Sequence, residues 1–153
     1  MSESEWPVLY SGRISWDGPG HDKDAGVAVS KTAAPKPDRA PIPVGEGATR
    51  FSAHELLISA LMTCYMDTFL AIVGKHTLPI ESFTCAAEGT LEPPGEKEVP
   101  RLTKVVLRPV VKVAADTPQK TRDRIATYLR RGEQFCYVRN ALTTEVSVEP
   151  TVE

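Results

Sequence analysis

Between Ser52 and Val73 the chain runs without a proline or a glycine, and this stretch limits the fold more than any other. Ser52 with Glu55 three residues later, ahead of an apolar run, is a capping-box start. Gly74 and Lys75 mark the end, and Pro79 follows as a stop. Apolar side chains fall nearly all round the helix (Leu56, Leu57, Ile58, Leu61, Met62, Phe69, Leu70, Ile72, Val73), whereas a surface helix shows a stripe and a polar back. The helix is therefore expected to be buried on most sides. Ser59, Thr63, Asp67 and Thr68 interrupt it, so the apolar run reads as too short to span a bilayer. A single thiol, Cys64, sits in its middle.

The segments around it are read as packing partners. Val8, Tyr10, Gly12, Ile14 and Trp16 alternate with more polar neighbours, as in a half-buried strand, and residues 25–29 read as its return. Residues 31–50 hold Pro35, Pro37, Pro41 and Pro43 and are expected to form an extended covering arm. Residues 1–5 are expected to be disordered. Phe83 to Leu91 and Thr103 to Val113 alternate as two strands joined by the loop Pro93-Pro94-Gly95, which favours an antiparallel pair. Thr117-Pro118 reads as an N-cap and first position of a charged helix to Arg131 that buries Ile125 and Leu129. Residues 144–149 alternate as a last strand. Grouped hairpins rather than strict β-α-β alternation predict one α+β domain over residues 1–153, with antiparallel sheet packed on the long central helix. One small sheet covers such a helix incompletely, so a homodimer with isologous contact is expected.

At 153 residues and 41% hydrophobic, one domain with a real core is the default. A net charge of -2 lacks the basic excess of a nucleic-acid or anionic-membrane binder, so neither partner is expected. Cys64, Cys85 and Cys136 are odd in number and widely spaced, unlike a disulfide framework or a zinc knuckle. The acidic start, without an apolar segment, does not read as a signal peptide, and the cytoplasm is the expected compartment. No metal or organic cofactor is expected.

Each thiol has two readings. Cys85 lies on the apolar side of its strand and reads as a small buried hydrophobe. Cys64 reads as helix core or as a nucleophile, since a reactive thiolate needs an electropositive, partly exposed setting. Cys136, between Arg131 and Arg139 in Phe135-Cys136-Tyr137-Val138, reads as a reactive thiol on irregular backbone or as a packed strand start. His21 and His76 read as solvated, and His54 falls in the first helical turn.

The segments 52–64, Leu78-Pro79-Ile80-Glu81-Ser82, 87–92, 101–109 and Cys136-Tyr137-Val138-Arg139-Asn140-Ala141-Leu142 together resemble the OsmC/Ohr family, osmotically inducible protein C and the organic hydroperoxide resistance proteins, in its OsmC-like branch. The resemblance runs from Trp6 to Pro150. It implies an intertwined α+β homodimer with active sites at the subunit interface, and a thiol-dependent peroxidase for organic and hydrogen peroxides in oxidative-stress defence. Carried over, Cys64 is the peroxidatic and Cys136 the resolving residue, Glu55 is the acidic residue, and an external dithiol reduces the disulfide. The family's peroxidases open this helix with Asn-Pro-Glu-Glu/Gln and take an activating Arg from the N-terminal hairpin. Here Ser52-Ala53-His54-Glu55 puts His54 in the carboxylate slot, and residues 20–24 hold no Arg, leaving Arg13, Arg39, Arg50 and Arg139 as candidates. Glu55 also reads as the capping-box residue, about 14 Å along a straight helix from Cys64. A chain that kept the cysteines and lost this charge machinery is a non-enzymatic redox-sensing or small-molecule-binding protein. A structural dimer is the third reading.

Overall fold

The computed structural model describes residues 8–16, of which only the backbone course is given, 51–94 and 99–153. The expected strand at 25–29, the arm at 31–50 and the terminal residues 1–5 lie outside the described residues. Strand β1 (Val8–Trp16) is followed by α1 (Ala53–His76), β2 (Ser82–Glu92) and β3 (Arg101–Lys112). Then come α2 (Gln119–Gly132), a 3-10 turn (Glu133–Phe135), the short α3 (Tyr137–Ala141), β4 (Glu145–Val148) and β5 (Thr151–Val152).

The start of α1 is the one its sequence dictates. Ser52 Oγ accepts from Glu55 N at 3.3 Å and Glu55 Oε2 accepts from Ser52 N at 2.6 Å, so two of the amides without a helical partner are satisfied reciprocally. Thr77 ends the helix in the left-handed region (φ 50°, ψ 47°), its N–H donating to the carbonyls of the last turn. Leu78 N donates to Val73 O at 3.1 Å, which seats Leu78 and Ile80 back in the core.

Phe83, Cys85, Ala87, Gly89 and Leu91 of β2 face inward in strict alternation, as do Val105, Leu107, Pro109 and Val111 of β3. Against this face α1 lays Ile58, Leu61, Met62, Tyr65, Met66, Phe69, Leu70 and Val73, all at most 1% exposed. Each such side chain stabilises the fold by roughly 1.5–3 kcal/mol relative to exposure. Phe83 is the hinge of the packing, with its ring 5.7 Å from Phe69 and 6.3 Å from Tyr65. Gly89 admits the first turns of α1, because a Cβ there would lie 2.7 Å from Ile58 Cδ1. By length and composition α1 does pass as a membrane span, with a mean hydropathy of 1.9 over its best window, which corrects the reading that it was too short. A core helix passes the same test, and half of that window is buried under the sheet.

The α+β class and the β2–β3 hairpin are as expected, but the sheet is mixed. Its order is β1-β2-β3-β4, with the first two pairings antiparallel. β4 pairs parallel with β3 (Lys104↔Glu145 to Leu107↔Val148), and β5 continues along the same strand in parallel (Val110↔Thr151, Val111↔Val152). The reason is the intervening helix: α2 carries the chain back along the sheet before β4 begins, and parallel pairing requires such a crossover. α2 buries Ile125 and Leu129 as its pattern predicts. Its N-cap is Pro118, not Thr117, and no side chain caps it; Thr117 is buried, its carbonyl accepting from Arg122 Nε at 3.2 Å.

Candidate thiol site

One side of α1 is left uncovered by the sheet. Along it runs an open groove of about 1020 Å³, lined by Ala60, Thr63, Cys64, Asp67, Thr68, Ala71, Ile72 and Lys75 from α1, and by Tyr128, Arg131, Phe135 and Tyr137 from the segment that follows β3. Two of the hydroxyls that interrupt the apolar pattern bond back to the helix. Thr63 Oγ1 donates to Ser59 O and Thr68 Oγ1 donates to Cys64 O, each at 2.8 Å.

Cys64 is half-buried and reachable from the groove, whereas Cys136 is fully buried behind it. The two thiols are within side-chain hydrogen-bonding reach of each other. Both are free, as is Cys85. Local backbone explains the approach. Gly132 ends α2, the 3-10 turn reverses direction, and Cys136 becomes the N-cap of α3, its Sγ accepting from Arg139 N at 3.5 Å. Phe135 and Tyr137 on either side point outward, 61% and 85% exposed. They are thus rim residues of the groove, and in place of a strand start this segment forms a helical turn that buries Cys136 and packs Val138 partly against the core.

Burial is the main reason that the Cys136 thiol is pushed up to about 12, with the hydrogen bond to Cys64 acting in the same direction and the Arg139 amide opposing. Cys136 is therefore held as a neutral thiol at neutral pH. Cys85 lies in β2 between Ile14 and Pro109 in register, its thiol facing the Ala86 carbonyl at 3.5 Å; burial pushes it too up to about 12.

Glu55 is not brought to the thiols within this chain. Its carboxylate is held below the usual range by the Ser52 backbone and side-chain hydrogen bonds of the capping box. Of the candidate cations, Arg39 and Arg50 lie outside the described residues and Arg13 is described only as part of β1. Arg139 contributes its amide to Cys136 and its guanidinium to Asn140 Oδ1 at 3.4 Å. Lys75 and Arg131 line the same groove as Cys64, and neither was singled out from sequence as its cationic neighbour. Arg131 had a legible signal, standing in the last turn of α2 five residues before Cys136. His76, read as solvated in a loop, belongs to the last turn of α1 and stacks on Tyr128 at 4.9 Å and 11°. Among the described residues no group of three His, Cys, Asp or Glu converges as a metal site would require.

Residues 45–151 match the model of the family described as OsmC-like protein. The chain belongs to the OsmC-like family. A solved OsmC-like protein of unknown function from Vibrio cholerae O1 biovar eltor is similar at 30% identity with a TM-score of 0.57, over 66% of this chain. The match spans 64% of the Vibrio protein, a little under two thirds of its length. An organic hydroperoxide resistance protein OsmC from Legionella pneumophila has the same fold at 17% identity, TM-score 0.54, over 71% of this chain and 73% of its own. No curated protein matches the chain.

Proposed function

We propose that this OsmC-like chain is a thiol-dependent peroxidase for organic and hydrogen peroxides in oxidative-stress defence. The observation that carries the reading is the pair itself: Cys64 opens onto a groove and Cys136 stands within reach behind it. The Cys64 thiolate attacks one peroxide oxygen, the O–O bond breaks, and the alkoxide takes a proton and leaves as alcohol or water. Cys64 is then a sulfenic acid. The Cys136 sulfur displaces its hydroxyl, giving a disulfide and a molecule of water, and an external dithiol restores both thiols. A sealed Cys136 suits the resolving part, since peroxide does not meet it first. Arg131 and Lys75 line the groove together with Asp67, so cations stand on the side of α1 that carries Cys64. The largely apolar lining suits organic hydroperoxides.

The reading includes a homodimer. Phe135, Tyr137, Ala60 and Ala71 leave an apolar side of the groove open in one chain, and a second chain would cover it. Glu55 has a catalytic part only if the partner brings one to the thiols. No metal, organic cofactor, nucleic acid or membrane enters the proposal, and free thiols suit the cytoplasm.

Stopped-flow consumption of cumene hydroperoxide with a dithiol reductant tests it. Cys64→Ser is expected to abolish turnover, and Cys136→Ser to leave a trappable sulfenic acid; equal rates for Cys64→Ser and wild type remove the catalytic claim. The second reading, a redox sensor or small-molecule binder, is favoured by Glu55 being engaged at the helix cap. It predicts one round of oxidation without turnover in the same assay.

A further inference from the structure

Tyr65 follows Cys64 in α1, and its side chain turns the other way, into the core, where none of it is exposed. Its hydroxyl donates a 2.6 Å hydrogen bond to Leu129 O. Leu129 lies in the last turn of α2, where carbonyls run out of amides from a following turn. Glu133, the residue four positions on, donates its N–H to Arg131 O instead. Tyr65 thus satisfies a buried helix end. Its ring also abuts Gly132, where a Cβ would come within 3.1 Å of Cε2. Four residues beyond Gly132 stands Cys136.

We propose that Tyr65 is a positioning residue for the thiol pair: tied to Leu129 O and seated on Gly132, it fixes the end of α2 against α1 and so sets the reach between Cys136 and Cys64. The inference rests on reading those two cysteines as a redox pair. A disulfide forms only within a narrow window, with Cα atoms roughly 4.4–6.8 Å apart. A contact that joins the two segments one residue from the first sulfur and four from the second restricts their relative motion where that window is set. Tyr65→Phe keeps the ring against Phe83 and Gly132 and leaves the Leu129 carbonyl without its donor. Gly132→Ala keeps the hydroxyl and drives a methyl into a ring that the core and the hydrogen bond both hold in place.

The test is the redox equilibrium of the full chain with glutathione. One glutathione disulfide is reduced to two thiols as Cys64 and Cys136 each lose a proton and together form one S–S bond. The equilibrium constant is the effective concentration of one thiol at the other. It is read by quenched alkylation and intact mass. Tyr65→Phe is expected to lower it about tenfold, and Gly132→Ala by a similar factor, at temperatures where circular dichroism shows each variant folded. Ile125→Val, a core change on the same helix that touches neither the hydroxyl bond nor Gly132, is expected to leave it within about twofold. Both variants matching wild type, or Ile125→Val shifting it equally, overturns the proposal. Peroxide serves as the separate arm. A wild type that responds in glutathione as expected but ignores peroxide defeats the peroxidase reading and leaves the positioning role; one that forms no Cys64–Cys136 disulfide in either oxidant defeats both.

Discussion

Cys85 and Cys136 are equally shut away from solvent, and burial pushes both thiols up to about 12. They differ in what holds them. Cys85 is one rung of a central strand, paired on both sides, with backbone groups of Ala86 and Arg108 as its polar contacts. Cys136 sits on a reversal between two helices with a second thiol within reach and an open groove behind that thiol. On the proposed peroxidase reading, burial alone does not separate a structural cysteine from a resolving one; the neighbouring sulfur does.

The sharpest way to break this contrast is to remove each sulfur in turn. Cys136→Ser is expected to end multiple turnover with a dithiol, while Cys85→Ala keeps turnover near wild type; comparable losses from both would erase the distinction. Next in size is the packing that makes Cys85's surroundings rigid. Phe83→Ala, two residues from Cys85 and in ring contact with Phe69, is expected to cost about 3–5 kcal/mol in denaturant unfolding. A loss under about 1 kcal/mol would mean that the core around Cys85 is no firmer than the turn around Cys136.

Alkaline pH probes the two thiols together. Because both folded values lie above the ordinary 9.0, the native state holds these protons more tightly than the unfolded chain does. Their stabilisation is intact below about pH 9 and declines as pH rises towards about 12. Cys85→Ala should flatten part of that decline in urea midpoints taken between pH 8 and 11, and an unchanged slope would show that Cys85 already ionises in the fold. The smallest effect is expected at Glu55. Its carboxyl is held low, so the helix cap is stabilising above the ordinary carboxylate range and weakens as pH falls through the folded value. Glu55→Gln should blunt this acid loss while leaving the peroxide rate unchanged, and a slowed rate would bring Glu55 back into the chemistry.

Local signals were legible and long-range ones were not. The capping box of α1 and the alternation of β2 and β3 are written in residues a few places apart, and Ser52, Glu55, Phe83 and Val105 stand where those patterns put them. The parallel pairing of β4 was hidden because a four-residue alternating strand carries no sign of its direction. The two-residue β5 offers no period at all. Phe135-Cys136-Tyr137-Val138 left irregular backbone and a strand start both open, because aromatic and β-branched residues favour strands, and the structure has a helical turn there. Within the site, the likeness to a family pointed to Cys64 and Cys136, and Arg131 was legible beside Cys136, but that Arg131 and Lys75 share a groove with Cys64 emerges only once α2 is laid beside α1.

The central strand has one further consequence, for the order in which the molecule assembles. β3 finds β2 at once across a short connection, yet its other neighbour is drawn from residues roughly forty positions later, at Glu145–Val148 and Thr151–Val152. Closing so large a loop is slow compared with zipping a hairpin. The Val105–Val111 edge is thus expected to stand bare for part of every refolding event, and that interval is when two chains would be most apt to stick to each other.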